Sequence, residues 1–117
     1  MSLTASPLLQ YVVVRNDLNW PVGSLIAQGI HASIAAVHKY RDHSDTMQYL
    51  NSDEMTTVVL AIDSEASIRS LIDTLSRNHV DHVCWIENPE NVLSSLATRP
   101  LRKNSVKHLF QHLKLFN

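Results

Sequence analysis

Carboxylates, an imidazole and several amides gather at two places in this 117-residue chain. Arg15-Asn16-Asp17-Leu18 is followed by Ala27-Gln28 and His31-Ala32, and Glu87 with Asn91 comes much later. A carboxylate beside a neutral imidazole and amide donors can orient a water for attack on an ester, provided some group stabilises the oxyanion. Gln28 and His31 are three apart, hence on one face of a helix that carries them, and Ser24 lies one turn earlier. Glu87, Asp17 and His31 are therefore the candidate catalytic group. Arg15, Asn16, Ser24, Gln28 and Asn91 are the candidate substrate contacts. The same residues also admit a structural reading, with Asp17 capping the helix that follows and His31 a half-buried histidine satisfied by its neighbours.

Other chemistries lack their residues. Gly23 and Gly29 are the only glycines, so there is no phosphate-cradling loop, no Gly-x-Ser-x-Gly elbow and no Cys/His nucleophile signature. His108 and His112 are four apart, but a zinc site wants three or four protein ligands and Cys84 is the only thiol, so no metal is expected. Cys84 sits in the apolar run His82-Val83-Cys84-Trp85-Ile86, where a buried structural thiol is expected. No apolar run approaches the ~18 residues a membrane span needs, and the opening residues lack a secretory pattern. A cytoplasmic protein without membrane contact is the expectation. The formal charge of −1 hides an asymmetry: residues 42–90 carry two basic and ten acidic side chains, residues 91–117 five basic and none acidic. A nucleic-acid partner would therefore need a local basic face around Arg99, Arg102, Lys103, Lys107 and Lys114. Ordinary charge on a C-terminal helix explains the same residues.

The elements that must position these groups follow from periodicity. Residues 1–9 read as a flexible leader and residues 10–117 as one domain. Gln10–Arg15 is a β-branched apolar run, the pattern of a strand covered on both faces. Val22, Ile26, Ile30, Ile34 and Val37 recur at helical spacing and predict a helix from near Gly23 to Tyr40, with that stripe packed on a sheet. A short helix around Met47–Leu50, a second strand over Thr56–Ile62 and a helix over Glu65–Asn78 capped by Ser64 come next. His82–Ile86 is a third strand, Asn88-Pro89-Glu90-Asn91 breaks it, and Val92–Thr98 is a fourth. Asn104 or Ser105 would cap a last helix burying Val106, Leu109, Phe110 and Leu113. Helical links imply right-handed crossovers and parallel pairing for much of the sheet. The expected fold is thus a three-layer α/β/α sandwich with a four-stranded mixed sheet and helices on both faces. In such sheets ligands sit outside the carboxyl ends of the strands, where Asp17 and Glu87 fall. If the first and third strands are neighbours, the two acids open onto one edge.

At these residues the chain resembles the second type of peptidyl-tRNA hydrolase. That family's opening, Val-Arg-x-Asp-Leu, a short Gly/Lys segment, then Ala-Gln-x-x-His-Ala, corresponds to Val14-Arg15-Asn16-Asp17-Leu18, Trp20–Ser24 and Ala27-Gln28-Gly29-Ile30-His31-Ala32. Trp20-Pro21-x-Gly23, Asp81-His82, Trp85-x-Glu87-x-Pro89-Glu90-Asn91 and Arg99-Pro100 resemble its peptidyl-tRNA hydrolase domain-containing branch. The resemblance implies cofactor-free hydrolysis of the ester joining a peptide to tRNA, peptidyl-tRNA as partner, and a homodimer. Two segments depart from the pattern. The family's Met-Gly-Lys-Gly-Lys becomes Trp20-Pro21-Val22-Gly23-Ser24, without a cation, and Asp-Ala-Gly-x-Thr becomes Glu87-Asn88-Pro89-Glu90-Asn91. Losing one oxyanion donor typically costs ~10²–10³ in rate. The alternative function is therefore a weak or inactive family member that binds tRNA or a protein partner.

Overall fold

The computed structural model describes residues 6–117. Its elements are β1 (Leu8–Arg15), α1 (Val22–Lys39), α2 (Ser44–Leu50), β2 (Thr57–Ile62), α3 (Glu65–Arg77), β3 (His82–Glu87), β4 (Val92–Thr98), β5 (Leu101–Arg102), α4 (Lys103–Val106), a 3₁₀ turn (Lys107–Leu109) and β6 (Lys114–Leu115). The four expected strands form the body of a mixed sheet with order β3-β4-β1-β2-β6, while β5 adds to the start of β1. The two extra strands are two residues long, too short to leave a periodic signal. β1 takes in Leu8 and Leu9, which pair with Arg102 and Leu101. Residues 1–5, the rest of the expected leader, lie outside the described residues.

β1 is central, and every residue of it after Leu8 is buried. It runs parallel to β2, from Gln10↔Thr57 to Arg15↔Ile62, as a crossover through α1 requires. β4 runs antiparallel to both β1 and β3. The first and third long strands are therefore not neighbours, because β4 inserts between them. They still point the same way, so Arg15 and Glu87 end at the same edge of the sheet.

Side-chain alternation divides the core in two. Tyr11 and Val13 join Ile68, Leu71 and Leu75 of α3, with Val106 and Phe110 from the chain's end. Val12 and Val14 meet Ala32 and Ala36 of α1 on the other face. α3 is built as expected: Ser64 Oγ accepts from Ser67 N at 3.0 Å, and an i, i+3, i+7 apolar face is buried.

Two expectations are corrected. The α1 stripe does not pack on the sheet: Val22, Ile26, Ile30 and Ile34 are 70, 59, 51 and 63% exposed. The helix instead buries Gln28, Ala32 and Ala36, which share the same four-residue spacing. Small residues win the inner face because α1 lies close on β1; a Cβ at Gly29 would come 3.3 Å from Val14 Cγ2. Nor is the last segment a continuous helix. Ser105 Oγ donates to Arg102 O at 2.6 Å rather than capping a helix start, and the backbone tightens at Lys107. Val106 and Phe110 are buried as the spacing predicts, and Phe110 stacks on Tyr11 at 4.2 Å. The chain must then turn out to pair Lys114 with Ala61, which ends helical geometry.

Candidate active site

The first turns of α1 and the end of β3 bring Gln28, His31 and Glu87 together. Trp85 and Glu87 are two apart on one strand, hence on the same face, the face that α1 covers. Trp85 Nε1 donates to Glu87 Oε1 at 3.0 Å, and the Trp85 and His31 rings stack at 4.8 Å and 28°. The indole N–H, the nearby Gln28 amide and the charge of His31 together hold the Glu87 carboxyl below the usual carboxylate range. Glu87 is therefore an ionised base near neutral pH.

Gln28 is buried, and both ends of its amide are bonded. Oε1 accepts from Ser94 Oγ at 2.6 Å, and Nε2 donates to Ser24 O at 3.2 Å. Ser95 Oγ adds a bond to the Gln28 carbonyl at 2.8 Å. Two successive strand residues reach one helix residue because β4 bulges: Trp85 pairs with Ser95 and Ile86 with Leu93, leaving Ser94 without a partner across the ladder. Trp85, Ser94 and Ser95 were not among the expected site residues. Two serines inside an otherwise apolar run were the available sign, but a bulge leaves no mark of its own in sequence.

Asp17 belongs to a different arrangement. Arg15 Nε and Nη2 grip its two carboxylate oxygens at 3.0 and 2.7 Å, and Arg15 Nη1 donates to Leu93 O at 3.2 Å. This pairing holds the Asp17 carboxyl below its ordinary range. By alternation Arg15 lies on the α3 side with Val13, and the charge of Glu65 at the start of α3 acts on it. Asp17 shares no hydrogen bond or ion pair with Glu87 or His31. The expected trio thus divides into Glu87 with His31 on the α1 side and an Arg15–Asp17 ion pair at the end of β1, one strand removed from β3.

The remaining candidates scatter along the same edge. Ser24 is exposed in the first turn of α1. Asn91 is exposed at φ 58° in the turn after β3, a left-handed position asparagine tolerates well. Asn16 lines a separate polar cleft of about 600 Å³ with Asp63, Ser67, Ser70, His112 and Lys114. The break after α4 sends His108 to a different cleft from His112. Among the described residues, no group of three or more His, Cys, Asp and Glu could hold a metal. Cys84 is half-buried, and burial pushes its thiol up. Of the C-terminal cations, Arg99 is tied to Asp81 and Asp45 at 2.9 and 3.1 Å, and Arg102 to Ser6 O and Gln48. Lys103, Lys107 and Lys114 are exposed. Because Arg102 pairs with the first residue of β1, Lys103 lies at the end of the sheet opposite Glu87, about 23 Å away along β1 at ~3.3 Å per residue. Among the described residues, no helix is long and apolar enough to cross a membrane.

Comparison with known proteins fits this geometry. Residues 8–116 match the family "Peptidyl-tRNA hydrolase PTH2". The chain is 40% identical over 115 residues to "Putative peptidyl-tRNA hydrolase PTRHD1" of Homo sapiens, covering 93% of this chain and 82% of that protein. The mouse protein of the same name gives the same identity and coverage. A "Peptidyl-tRNA hydrolase" of Methanococcus vannielii is 26% identical over 112 residues, covering 91% of this chain and 97% of that one. The match runs through nearly every described element, and the chain belongs to the PTH2 peptidyl-tRNA hydrolase family.

Proposed function

We propose that this protein hydrolyses the ester joining a peptide to the 3′ ribose of tRNA, with Glu87 as general base and His31 as its partner. One observation carries the reading: Glu87, His31 and Gln28 converge around Trp85 at the carboxyl edge of β3 and β1. Glu87 removes a proton from a water as its oxygen attacks the ester carbonyl carbon. The tetrahedral intermediate then expels the ribose oxygen, which takes a proton from His31 or Glu87, giving the free peptide acid and a tRNA 3′ hydroxyl. The family lysines are absent, so the oxyanion needs other donors. α1 has no side-chain cap and no acidic residue in its first turn, so the N–H groups of Val22, Gly23 and Ser24 have no partner inside the helix. In this reading those N–H groups receive the oxyanion, and Ser24 and Asn91 contact the substrate. Lys103, some 23 Å back along the sheet, and Lys107, one turn after it, contact phosphates farther up the tRNA. The Arg15–Asp17 pair stiffens the strand end. No cofactor enters, and the protein works in the cytoplasm on tRNA returning to translation.

Purified protein is expected to release the N-blocked amino acid from an N-blocked aminoacyl-tRNA, and His31→Ala to slow that release. Turnover no faster than buffer alone at micromolar protein would defeat the proposal. A second reading, a family member that binds tRNA or a protein without cleaving it, is favoured by the missing cation at Trp20–Ser24. It predicts saturable tRNA binding with no ester cleavage.

The homodimer the family resemblance implies is part of the same proposal. Between α1 and β2 runs a groove of about 500 Å³, lined by Val12, Val14, Ile26, Ile30, Val59 and Phe116 among others, none of them charged. Val22, Ile26, Ile30 and Ile34 form its exposed apolar wall, a ridge on the α1 side. A two-fold pair would seat the ridge of each copy in the groove of the other.

A further inference from the structure

We propose that Trp85 is the positioning residue of this site, its indole N–H fixing the Glu87 carboxylate and its ring face fixing the His31 imidazole against the same water. Glu87 ends β3, which is an edge strand, so nothing on its outer side restrains the side chain. A glutamate there would sample several rotamers. The 3.0 Å bond from Trp85 Nε1 to Oε1 removes that freedom. The indole itself is anchored, half-buried beneath α1 beside Val83 and the Ala32–Ala36 core. Its strand partner Ser95 is bound in turn to the Gln28 carbonyl at 2.8 Å. The same ring meets His31 at 4.8 Å centroid distance with planes 28° apart, so the imidazole cannot swing without leaving the stack. His31 from α1 and Glu87 from β3 are the titratable groups that meet across it. Trp85 need not touch substrate; it acts through the two groups it holds.

The assignment rests on the hydrolase reading for its purpose but not for its geometry, and the test separates the two. Trp85→Phe keeps a stacking ring and deletes the N–H, whereas Trp85→Leu deletes both. A carboxyl NMR titration of the whole chain reads Glu87, the ring-current shifts of the His31 imidazole protons read the stack, and far-UV circular dichroism checks folding. In Trp85→Phe the Glu87 midpoint is expected to rise toward the ordinary glutamate value while the His31 ring-current shifts are largely kept. In Trp85→Leu the Glu87 midpoint is expected to rise and the His31 ring-current shifts to be lost. Where hydrolysis is measurable, Trp85→Phe lowers kcat about 10- to 100-fold with KM little changed, as misplacement of a reacting group does. A Glu87 midpoint unmoved in Trp85→Phe, or identical behaviour of the two variants, overturns the assignment. A moved midpoint in a protein that cleaves no ester keeps the assignment and removes the hydrolase reading instead.

Discussion

Replacing Gln28 by leucine tests whether the buried polar core of the site is a coupled unit. Leucine matches the volume but makes none of the amide's bonds. Ser24 O keeps its helical partner. The Ser94 hydroxyl is the group left stranded: it is fully buried, and its 2.6 Å bond goes to Gln28 Oε1. An orphaned buried hydroxyl costs about 1–3 kcal/mol. For a chain of this length that is a fall in Tm of roughly 4–8 °C per kcal/mol. Ser94→Ala alone strands Gln28 Oε1 and costs a similar amount. The double variant Gln28→Leu/Ser94→Ala strands neither, so it is expected to be more stable than the sum of the single losses by about 1 kcal/mol or more. Urea midpoints with a common m-value measure all four corners of the cycle. Strict additivity, within about 0.3–0.5 kcal/mol, would refute the claim that these two side chains satisfy each other.

Asp17→Ala leaves the buried Arg15 guanidinium with only the Leu93 carbonyl; because Asp17 is 33% exposed, the expected cost is about 1–2 kcal/mol rather than the larger figure for a fully buried pair, read from urea midpoints at pH 7. Asp17 has a lowered pKa in the folded chain, so its contribution is present above the unfolded value near ~4 and is lost as pH falls through the folded value. Asp17→Ala should therefore flatten the acid limb of the stability profile, and an unchanged limb would count against the ion pair. Ile30→Glu, at a 51% exposed position, should shift the stability of one copy by no more than ~0.5 kcal/mol while halving the mass seen by light scattering. A mass equal to one chain before substitution would end the two-fold proposal. Charge reversal at Lys103 or Lys107 should weaken tRNA binding and lower the slope of log K against log salt by about 1 per site, read by filter binding at several salt concentrations.

Much of this architecture is legible from residue order. β1 declares itself by its β-branched run, α3 by Ser64 and its apolar spacing, and β3 by the run that ends at Glu87. α1 shows where reading fails. It carries two stripes at four-residue spacing, one branched and large, one small and partly polar. Hydropathy favours the first, yet close approach to Val12 and Val14 admits only the second. Burying Gln28 is tolerable because Ser94 and Ser24 satisfy it, and the bond to Ser94 is a long-range agreement that no local pattern records. Helix spacing puts Gln28 and His31 on one face and the apolar run puts Glu87 at a strand end; that β3 lies under α1, where His31 meets Trp85, depends on the sheet order. The division of Asp17 from them was not legible, since it depends on Arg15 facing the α3 side and reaching a carbonyl of β4. The bulge at Ser94 and the pairing of Trp85 with His31 likewise arise only once β4 lies between β1 and β3.

Single-turnover cleavage of N-blocked aminoacyl-tRNA at neutral pH, wild type against Glu87→Gln, bears most directly on the assignment of Glu87 as the base. The wild-type chain is expected to release the blocked amino acid above the spontaneous rate, and the glutamine variant to lose about 10²–10⁴-fold of that acceleration while still binding tRNA. Equal rates for the two proteins would contradict it.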